Sequence, residues 1–403
     1  WSNGEHVTAL DYVSSWRGAL SDCINHPELL FVIKNAQEYK EKKCPFSEVA
    51  VKALDAETLQ IQLQWPDPYF LHKLAQPFFS PLFGSLREPK WFNGPYLIRE
   101  QTEEKILLER NPYFWDAERI YFDQIEMRKE ANPRTLFRLF QQGEIDWYGE
   151  PFHSLSTDQI RELQKKQLIA KLNVKRQFVL YFNTKHPLLS SSFARKAFSL
   201  CLDRSYITAR FFPYSLPSEP KGASKVEARQ LMKKALKELG LSQGNTPPLT
   251  FSYCDPQHKE AFASYLQTTW QKTLGIPIQI VGSDWNHFRS NLEKKSYEIC
   301  GAIQDIIDED SYEYLSRFEG PNSWNFPQWT HPGYRSLIDQ ARPTSFGAQK
   351  NIAKQEAKNI LLEETPYTPL FHYIHLYAQN PKLKNCVFDK EGCIDFSWAY
   401  LEQ

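Results

Sequence analysis

The sequence predicts an α/β protein with more than one domain. The chain has 403 residues, whereas a domain holds about 150, so two or three domains are expected. Between residues 178 and 377, strand-like and helix-like segments alternate, which is typical of an α/β lobe with a parallel or mixed sheet. The preceding part is mixed and carries hairpin signals, such as the two strand-like runs within residues 49–63.

Hydrophobic periodicity and turn residues place the elements of the first half. A helix is predicted over residues 8–20, with Thr8 as N-cap and Leu10, Val13, Trp16 and Leu20 on one face. A short amphipathic helix is predicted over residues 135–142 and ends at Gly143. Strands are expected near residue 96 and over 105–109, 125–129 and 144–148.

The second half gives clearer signals. Gly240 and Gly275 follow two predicted helices directly, where a glycine can adopt the left-handed conformation that ends a helix. The predicted helices cover residues 191–202, 225–239, 258–274, 285–295 and 348–362. The predicted strands cover residues 178–183, 249–253, 277–281, 297–303 and 367–377.

Composition excludes several classes of protein. With 41% hydrophobic and 24% charged residues, the chain can bury cores, which excludes a disordered protein. No apolar run approaches the ~18 residues of a membrane span. Lys+Arg and Asp+Glu both count 48, and this neutral balance argues against a nucleic-acid partner. The aromatic content of 14% is typical of a protein with aromatic-lined surfaces or cavities.

Motifs of catalysis and metal binding are missing from the sequence. It contains no G-x-S-x-G, G-x-x-x-x-G-K-[ST], G-x-G-x-x-G or H-E-x-x-H, and no cysteine spacing of a zinc site. We therefore expect no catalytic residue, no cofactor and no metal. A hydrolase that uses Cys254 and His258, or the acidic run at residues 305–310, is the less favoured class. Cys386 and Cys393 could close a small loop by a disulfide, with unpaired thiols as the alternative.

Five motifs, in one order along most of the chain, resemble those of the oligopeptide- and dipeptide-binding proteins of ABC transporters, the family 5 extracellular solute-binding proteins. The first is W-S-N-G-E-H-V-T-A-L-D-Y-V at residues 1–13. The others are N-G-P-Y at 93–96 with L-L-E-R-N-P-Y-F-W at 107–115, G-E-I-D at 143–146, Y-F-N-T-K-H-P at 181–187, and R-K-A-F-S-L-C-L-D-R at 195–204.

The resemblance implies a periplasmic-binding-protein-like (type II) α/β fold with two lobes, three subdomains, mixed sheets and a cleft that closes by a hinge. The implied division is 1–92 as an accessory part of the first lobe, 93–176 as its hinge-proximal part, 177–395 as the second lobe, and 396–403 as a return to the first lobe. Family members carry a long stretch before the first motif, so residues preceding Trp1 are expected in the full protein.

The resemblance also implies a function. The protein is expected to capture oligopeptides in a cleft between its lobes and to deliver them to the permease subunits of an ABC transporter. It is expected to work as a monomer in the periplasm or elsewhere outside the cytoplasm, with a lipid anchor as an option. Leu292 and Gly301 fall where oligopeptide binders can carry arginines for the peptide carboxyl end. This departure leaves another small solute, such as a modified peptide, sugar or metal chelate, as the alternative ligand.

The resemblance places several residues near the ligand. Trp285 matches a tryptophan that borders the peptide pocket, and His258 matches a position near the ligand's carboxyl end. Trp147, Tyr148 and Glu150 follow the G-E-I-D motif and are expected to face the cleft. For each residue the alternative is ordinary core packing or a surface position.

The family's G-W-x-x-D-Y-x-x-P segment provides an aspartate for the ammonium group of the peptide. Here Gln304 replaces the tryptophan, and a gap-free count puts Ile307 at the aspartate position. Asp305 and Asp308 are the candidates to replace it. Asp305 is favoured, because residues 305 and 307 share one face of a strand whereas residue 308 lies on the other.

Overall fold

The computed structural model describes residues 1–21, 27–67, 70–84, 89–130, 132–246, 248–306, 312–320, 324–342, 348–390 and 392–402. The contacts between residues divide the chain into two units. Unit 1 comprises Trp1–Asp146, Asn380–Val387 and Ile394–Gln403, and unit 2 comprises Trp147–Gln379 and Phe388–Cys393.

Unit 1 contains short helices and small antiparallel sheets. Its helices are α1 (Ala9–Ser21), α2 (Ala36–Lys40), α3 (Phe70–Leu74) and α4 (Pro133–Gln141), with 3₁₀ turns at Pro27–Val32, Phe46–Glu48, Pro77–Phe79 and Ala117–Arg119. Its strands pair as β1 (Val51–Ala53) with β2 (Leu59–Ile61), β3 (Phe83–Gly84) with β4 (Pro89–Trp91), and β5 (Tyr96–Gln101) with β6 (Lys105–Arg110) and β7 (Gln124–Arg128).

Helix α1 confirms the first predicted helix and corrects its buried face. The backbone N–H of Thr8 donates to Oδ2 of Asp11 at 2.7 Å, which satisfies an unpaired donor at the helix start. Trp16 and Leu20 are buried as expected, whereas Leu10 is 62% exposed. At 100° per residue, Leu10 lies about 120° around the helix from Trp16, so the predicted apolar face was too wide.

Unit 2 contains most of the regular structure. Its helices are α5 (Thr157–Lys165), α6 (Pro187–Ser190), α7 (Ser192–Leu200), α8 (Arg204–Phe211), α9 (Lys225–Glu238), α10 (Pro256–Leu274), α11 (Trp285–Glu293), α12 (Tyr312–Ser316), α13 (Pro332–Ala341) and α14 (Ala348–Glu364), with a 3₁₀ turn at Gln243–Asn245. Its strands are β8 (Trp147–Gly149), β9 (Ala170–Phe182), β10 (Leu216–Pro217), β11 (Leu249–Cys254), β12 (Ile278–Ser283), β13 (Ile299–Asp305) and β14 (Tyr367–Gln379). Four short strands follow along the chain: β15 (Leu383–Lys384), β16 (Val387–Phe388), β17 (Ile394–Asp395) and β18 (Tyr400–Leu401). Of these, β15, β17 and β18 belong to unit 1.

The seven strands of unit 2 form one mixed sheet in the order β10–β14–β9–β13–β11–β12, with β8 also paired to β14. Strand β11 is parallel to β12 and β13, whereas β9 is antiparallel to both β13 and β14. The carboxyl ends of β11, β12, β13 and β14 therefore lie at the same end of the sheet.

The two faces of this sheet carry different cores. Along β9, Phe178, Leu180 and Phe182 point to the larger core beneath α7, α9 and α10. Val179 and Tyr181 alternate with them and point to a smaller cluster with Phe288, Tyr297, Cys300 and Ala302. Burial on both faces explains why this part of β9 is apolar at every position.

Two buried arginines, Arg195 of α7 and Arg204 of α8, join these helices to neighbouring segments of unit 2. Arg195 donates from Nη1 to the carbonyl oxygens of Leu189 and Ser190, both at 2.8 Å, and forms an ion pair with Glu364 at 3.0 Å. Arg204 donates from Nε to the carbonyl oxygen of Pro369 at 3.0 Å. Burial lowers the pKa of both guanidinium groups to about 10. The R-K-A-F-S-L-C-L-D-R motif thus places two cations among buried acceptors of the backbone.

Most predicted elements of unit 2 are confirmed, with differences at the ends. Strand β9 begins at Ala170 rather than Phe178, because the half-exposed residues 170–176 alternate in burial and extend the sheet. The domain boundary expected at residues 176 and 177 falls within this strand. The prediction missed α5, α8 and α13. Among the described residues, no helix is both long enough and apolar enough to cross a bilayer.

Candidate functional site

The carboxyl ends of three adjacent strands carry acidic and aromatic side chains, among them two predicted site residues, Asp305 and Trp285. Asp305 ends β13, Asp255 follows β11, and Trp285 follows β12 after one intervening residue. Adjacent strands lie about 4.8 Å apart, and β13 continues past the ends of β11 and β12, because Gly301 pairs with Tyr253 and leaves Asp305 about 10 Å further along the strand direction than Cys254. Ligands of open α/β sheets bind outside the carboxyl ends of the strands, and this edge of unit 2 is therefore the candidate site.

Trp285 is an exposed aromatic residue at this edge. It is the first residue of α11, where Oδ1 of Asp284 caps the helix by accepting from the backbone N–H of His287 at 3.0 Å. The residue is 59% exposed, and its indole stacks against Phe288, with ring centroids 6.2 Å apart. Trp285 is therefore not a core-packing residue, which was the alternative for it. The cap at Asp284 fixes the start of α11 and leaves the indole in solvent.

The end of β11 carries polar groups and a cysteine. Asp255 adopts a left-handed conformation (φ 65°) before α10 and lies 3.8 Å from Nζ of Lys259. Burial raises the pKa of the Cys254 thiol, which keeps it protonated near neutral pH. The side chain of His258 lies outside the described residues, so the proposed Cys254–His258 pair has no described geometry.

The two neighbouring residues at the end of β13 point to opposite faces of the sheet. Asp305 is exposed and accepts from Nε of Arg176 on β9 at 2.9 Å. Gln304 is buried on the other face, where its Oε1 accepts from the hydroxyl of Tyr181 at 3.1 Å. Asp308 belongs to residues 307–311, which lie outside the described residues.

Trp147, Tyr148 and Glu150 lie at the same end of the sheet, because β8 pairs with residues 377–379 of β14. The indole of Trp147 stacks on Tyr377 at 4.5 Å. Tyr148 is fully buried and contacts His153, and its burial raises the pKa of the phenol. This burial leaves Tyr148 as a packing residue with no surface for a ligand.

The carboxylate of Glu150 is held by two hydroxyl groups. One of its carboxylate oxygens, Oε1, accepts from the hydroxyl groups of Ser154 at 3.0 Å and Tyr373 at 3.3 Å. Burial, followed by the charge of Glu150, raises the pKa of Tyr373, so the phenol stays protonated and donates. These hydrogen bonds hold the carboxylate in place beside β14.

The two positions that correspond to family arginines differ from each other. Gly301 is buried, and a Cβ at this position would lie 2.8 Å from Phe178 and 3.0 Å from Phe251. Any larger side chain here would enter the core, so an arginine is sterically excluded. Leu292 packs beside the smaller core cluster. Neither residue offers a cation for the carboxyl end of a peptide.

Sequence reasoning missed a cation close to this edge. Arg317 follows α12, and its guanidinium lies 4.8 Å from the ring centroid of Trp324 and 6.0 Å from that of Tyr314. Sequence patterns offered one weak signal, an arginine within the aromatic-rich segment that contains Tyr312, Tyr314 and Phe318.

The described residues contain no group of three or more His, Cys, Asp or Glu side chains that could hold a metal ion. Asp305, the described member of the acidic run, is engaged by Arg176. In the described part of the chain, Cys386 and Cys393 are not joined by a disulfide bond.

A mixed sheet with exposed aromatic and acidic side chains at the carboxyl ends of its parallel strands has the architecture of a ligand-binding protein. The family model described as "Bacterial extracellular solute-binding proteins, family 5 Middle" matches residues 1–326, and the chain belongs to this family.

Similar proteins extend the comparison to the whole chain. The oligopeptide-binding protein OppA of Bacillus subtilis (strain 168) is 28% identical over 439 residues, which cover 100% of this chain and 80% of the relative. The dipeptide-binding protein DppE of the same organism is 25% identical and covers 99% of this chain and 79% of the relative. The crystal structure of an oligopeptide ABC transporter substrate-binding domain from Bacillus anthracis superposes with a TM-score of 0.89 at 23% identity, covering 100% of this chain and 85% of that one. The predicted type II fold class is confirmed.

Proposed function

We propose that this protein captures oligopeptides outside the cytoplasm and delivers them to the permease of an ABC transporter. Family membership and the names of the similar OppA and DppE proteins support a peptide ligand. The observation that carries the proposal is the edge of unit 2 where two exposed residues lie at the carboxyl ends of strands of one sheet, Trp285 after β12 and Asp305 at the end of β13. The subdomain boundaries, the periplasmic location and a lipid anchor expected from the sequence belong to the same proposal.

Asp305 is our candidate for the partner of the peptide ammonium group. A carboxylate has room for about four hydrogen bonds, so the contact of Oδ1 with Arg176 leaves acceptor capacity for a second cation. Asp308, in the segment outside the described residues, is the second candidate. Trp285 and Trp147 offer apolar area for side chains of the peptide. His258 stays a candidate for the carboxyl end of the ligand.

The proposed protein binds its peptide ligand and does not catalyse a reaction on it. The raised pKa of Cys254 argues against a thiolate nucleophile, because burial disfavours the charged thiolate relative to the neutral thiol. A peptide that binds should therefore leave the protein unchanged in mass.

A divergent family member that binds another small solute is the second candidate function. Gln304 and Ile307 replace the tryptophan and aspartate of the family segment, and Gly301 has no space for an arginine. These three departures remove groups that relatives use for a zwitterionic peptide.

Calorimetric titration of peptide pools of two to five residues tests the proposal, with free amino acids and sugars as competing ligand classes. We expect at least one peptide pool to bind and mass spectrometry to recover it intact. Heat from a sugar or another non-peptide solute alone would favour the second candidate. Recovery of cleaved peptide would contradict the proposal that the protein binds peptides without hydrolysing them.

A further inference from the structure

Arg317 lies within a group of aromatic rings on one face of the central sheet. The rings of Trp324 and Phe326 are 6.4 Å apart, those of Phe326 and Tyr181 are 5.3 Å apart, and those of Tyr181 and Tyr367 are 6.4 Å apart. The hydroxyl groups of Tyr367 and Tyr314 share a hydrogen bond. We call these five residues the aromatic box. The guanidinium lies over the ring of Trp324 and near that of Tyr314.

The cation in this box has no carboxylate partner in the part of the chain that the structure describes. The charge of Asp305 acts on Arg317, but its carboxylate forms its ion pair with Arg176 at 2.9 Å. Burial lowers the pKa of the Arg317 guanidinium, because leaving water costs a cation solvation free energy. Cation–π contacts offset only part of this cost, and an arginine stays charged in proteins. Among the described residues, an anion is therefore the group that Arg317 lacks.

A second donor without a partner lies near the box. Gln177 is 1% exposed, and its Nε2 is buried with no hydrogen-bond partner in the described structure. It pairs across the sheet with Gln304, which accepts from the hydroxyl of Tyr181, a member of the box. A buried amide that donates to nothing destabilises the fold, and an acceptor on a ligand would satisfy it.

We propose that Arg317, assisted by the Nε2 amide of Gln177, binds a carboxylate group of the ligand. This inference rests on the proposed function and specifies it, because it makes an acidic group part of what the protein recognises. The guanidinium presents a planar fork of N–H donors that matches the two oxygens of a carboxylate. A single cation balances the single charge of a carboxylate, whereas a phosphate dianion would leave an uncompensated charge among aromatic rings.

A pair of peptides with the same sequence tests the contact, one with a free carboxyl terminus and one with an amidated terminus. A second pair, both amidated, differs by a Glu or Gln side chain and separates a side-chain carboxylate from a terminal one. Calorimetry should show that removing one of the two carboxylates weakens binding to the parent protein about ten- to a hundredfold. The pair that responds identifies the source of the anion.

Arg317→Gln should remove this discrimination, so that the acid and its amide bind with affinities within about twofold of each other, since the charge-assisted bond is lost. Arg335→Gln is the matched control, because Arg335 is exposed and lies 3.9 Å from Glu319. It should keep the full acid preference. An acid preference that survives in Arg317→Gln overturns the inference while leaving peptide binding, and hence the proposed function, intact. A parent protein that binds peptides without preferring acids also overturns it, whereas a parent that binds no peptide contradicts the proposed function itself.

Gln177→Met keeps the inference testable if Arg317→Gln fails to fold. Methionine has a similar length and no donor, so the unliganded protein should be at least as stable as the parent, because an unsatisfied amide is removed. Its affinity for the acidic peptide should fall, while its affinity for the amide should not. A variant that loses stability but keeps the parent's acid preference assigns Gln177 to the fold alone and overturns its part in the contact.

Discussion

Arg195 and Arg204 differ from Arg317 in what satisfies their charge. The first two are almost fully buried, and each guanidinium donates to several acceptors of its own chain, including carbonyl oxygens beside α7 and on β14. Arg317 is half-buried among aromatic rings, and its described contacts are with those rings. An arginine whose N–H groups all donate within the chain stabilises the fold. An arginine without such acceptors among the described residues is available to a ligand. This comparison predicts that substitutions will separate into effects on stability and effects on affinity.

Arg204→Met should have the largest effect, and it should be on stability. The substitution leaves the hydroxyl groups of Ser199 and Thr368, which the guanidinium contacts at 2.8 and 3.0 Å, without this donor inside the core. We expect a loss of about 3–5 kcal/mol in the free energy of unfolding, comparable to breaking a buried charged network. Urea denaturation measures this loss. A variant as stable as the parent would show that the buried network is dispensable.

Gly301→Ala should have the next largest effect and should sharpen the comparison at β13. The added Cβ would meet Phe178 at 2.8 Å and Phe251 at 3.0 Å, and both rings are buried in the larger core. Overpacking of this kind costs about 1–3 kcal/mol in the free energy of unfolding. Thermal unfolding, with peptide affinity measured at a temperature where the variant is folded, should show reduced stability and unchanged affinity. Weaker peptide binding by the folded variant would instead place Gly301 at the ligand.

Asp305→Asn should change affinity rather than stability. The carboxylate is exposed, and its ion pair with Arg176 is at the surface, where such pairs contribute about 0–1 kcal/mol. If this residue holds the peptide ammonium group, binding should weaken about tenfold or more, since a charge-assisted hydrogen bond is lost. Calorimetry against one peptide, with and without an acetylated amino terminus, measures the effect. Asp308→Asn should do little, and the opposite ranking would assign the anchor to Asp308.

The smallest expected effect concerns the reactivity of the Cys254 thiol, which labelling measures. Burial raises its pKa, so the folded state holds the protonated thiol over a wider pH range than an unfolded chain does. Stability contributed by this group is therefore present below the unfolded pKa and lost as the pH rises through the folded pKa. We expect slow alkylation at neutral pH in Cys254 compared with a small-molecule thiol, measured by peptide mapping. Fast labelling at neutral pH would revive the nucleophile hypothesis.

The sequence predicted the regular elements better than the contacts between them. Helices α9 and α10 end at Gly240 and Gly275 as expected, because both glycines adopt positive φ values of 65° and 71°. Helix α8 was missed because Asp203, next to the end of the family motif, also caps the next helix by accepting from the N–H of Tyr206 at 2.8 Å. A local pattern contains no information that distinguishes the end of one helix from the start of another.

The part of the candidate site that could be predicted from the sequence is the part that lies at the ends of strands. Trp285 and Asp305 follow strands, and parallel pairing brings their ends to one edge. The environment of Arg317 was not predictable, because the aromatic box joins residues that are far apart in the sequence. Tyr314 lies 53 positions before Tyr367 and 133 positions after Tyr181. The alternation assumed for residues 305–308 is observed one step earlier, where Gln304 is buried and Asp305 is exposed at the end of β13.

Photocrosslinking at residue 285 tests most directly whether the carboxyl edge of unit 2 binds the peptide. Trp285 is replaced by p-benzoylphenylalanine, and Tyr206, which has a similar exposure of 48% against 59%, is replaced in a control variant. A peptide that binds both variants in calorimetry is then irradiated with each, and the adduct is measured by mass spectrometry. We predict a saturable adduct at residue 285 and none above background at residue 206. Saturable binding with no adduct at residue 285, or with equal adducts at both positions, would contradict the site.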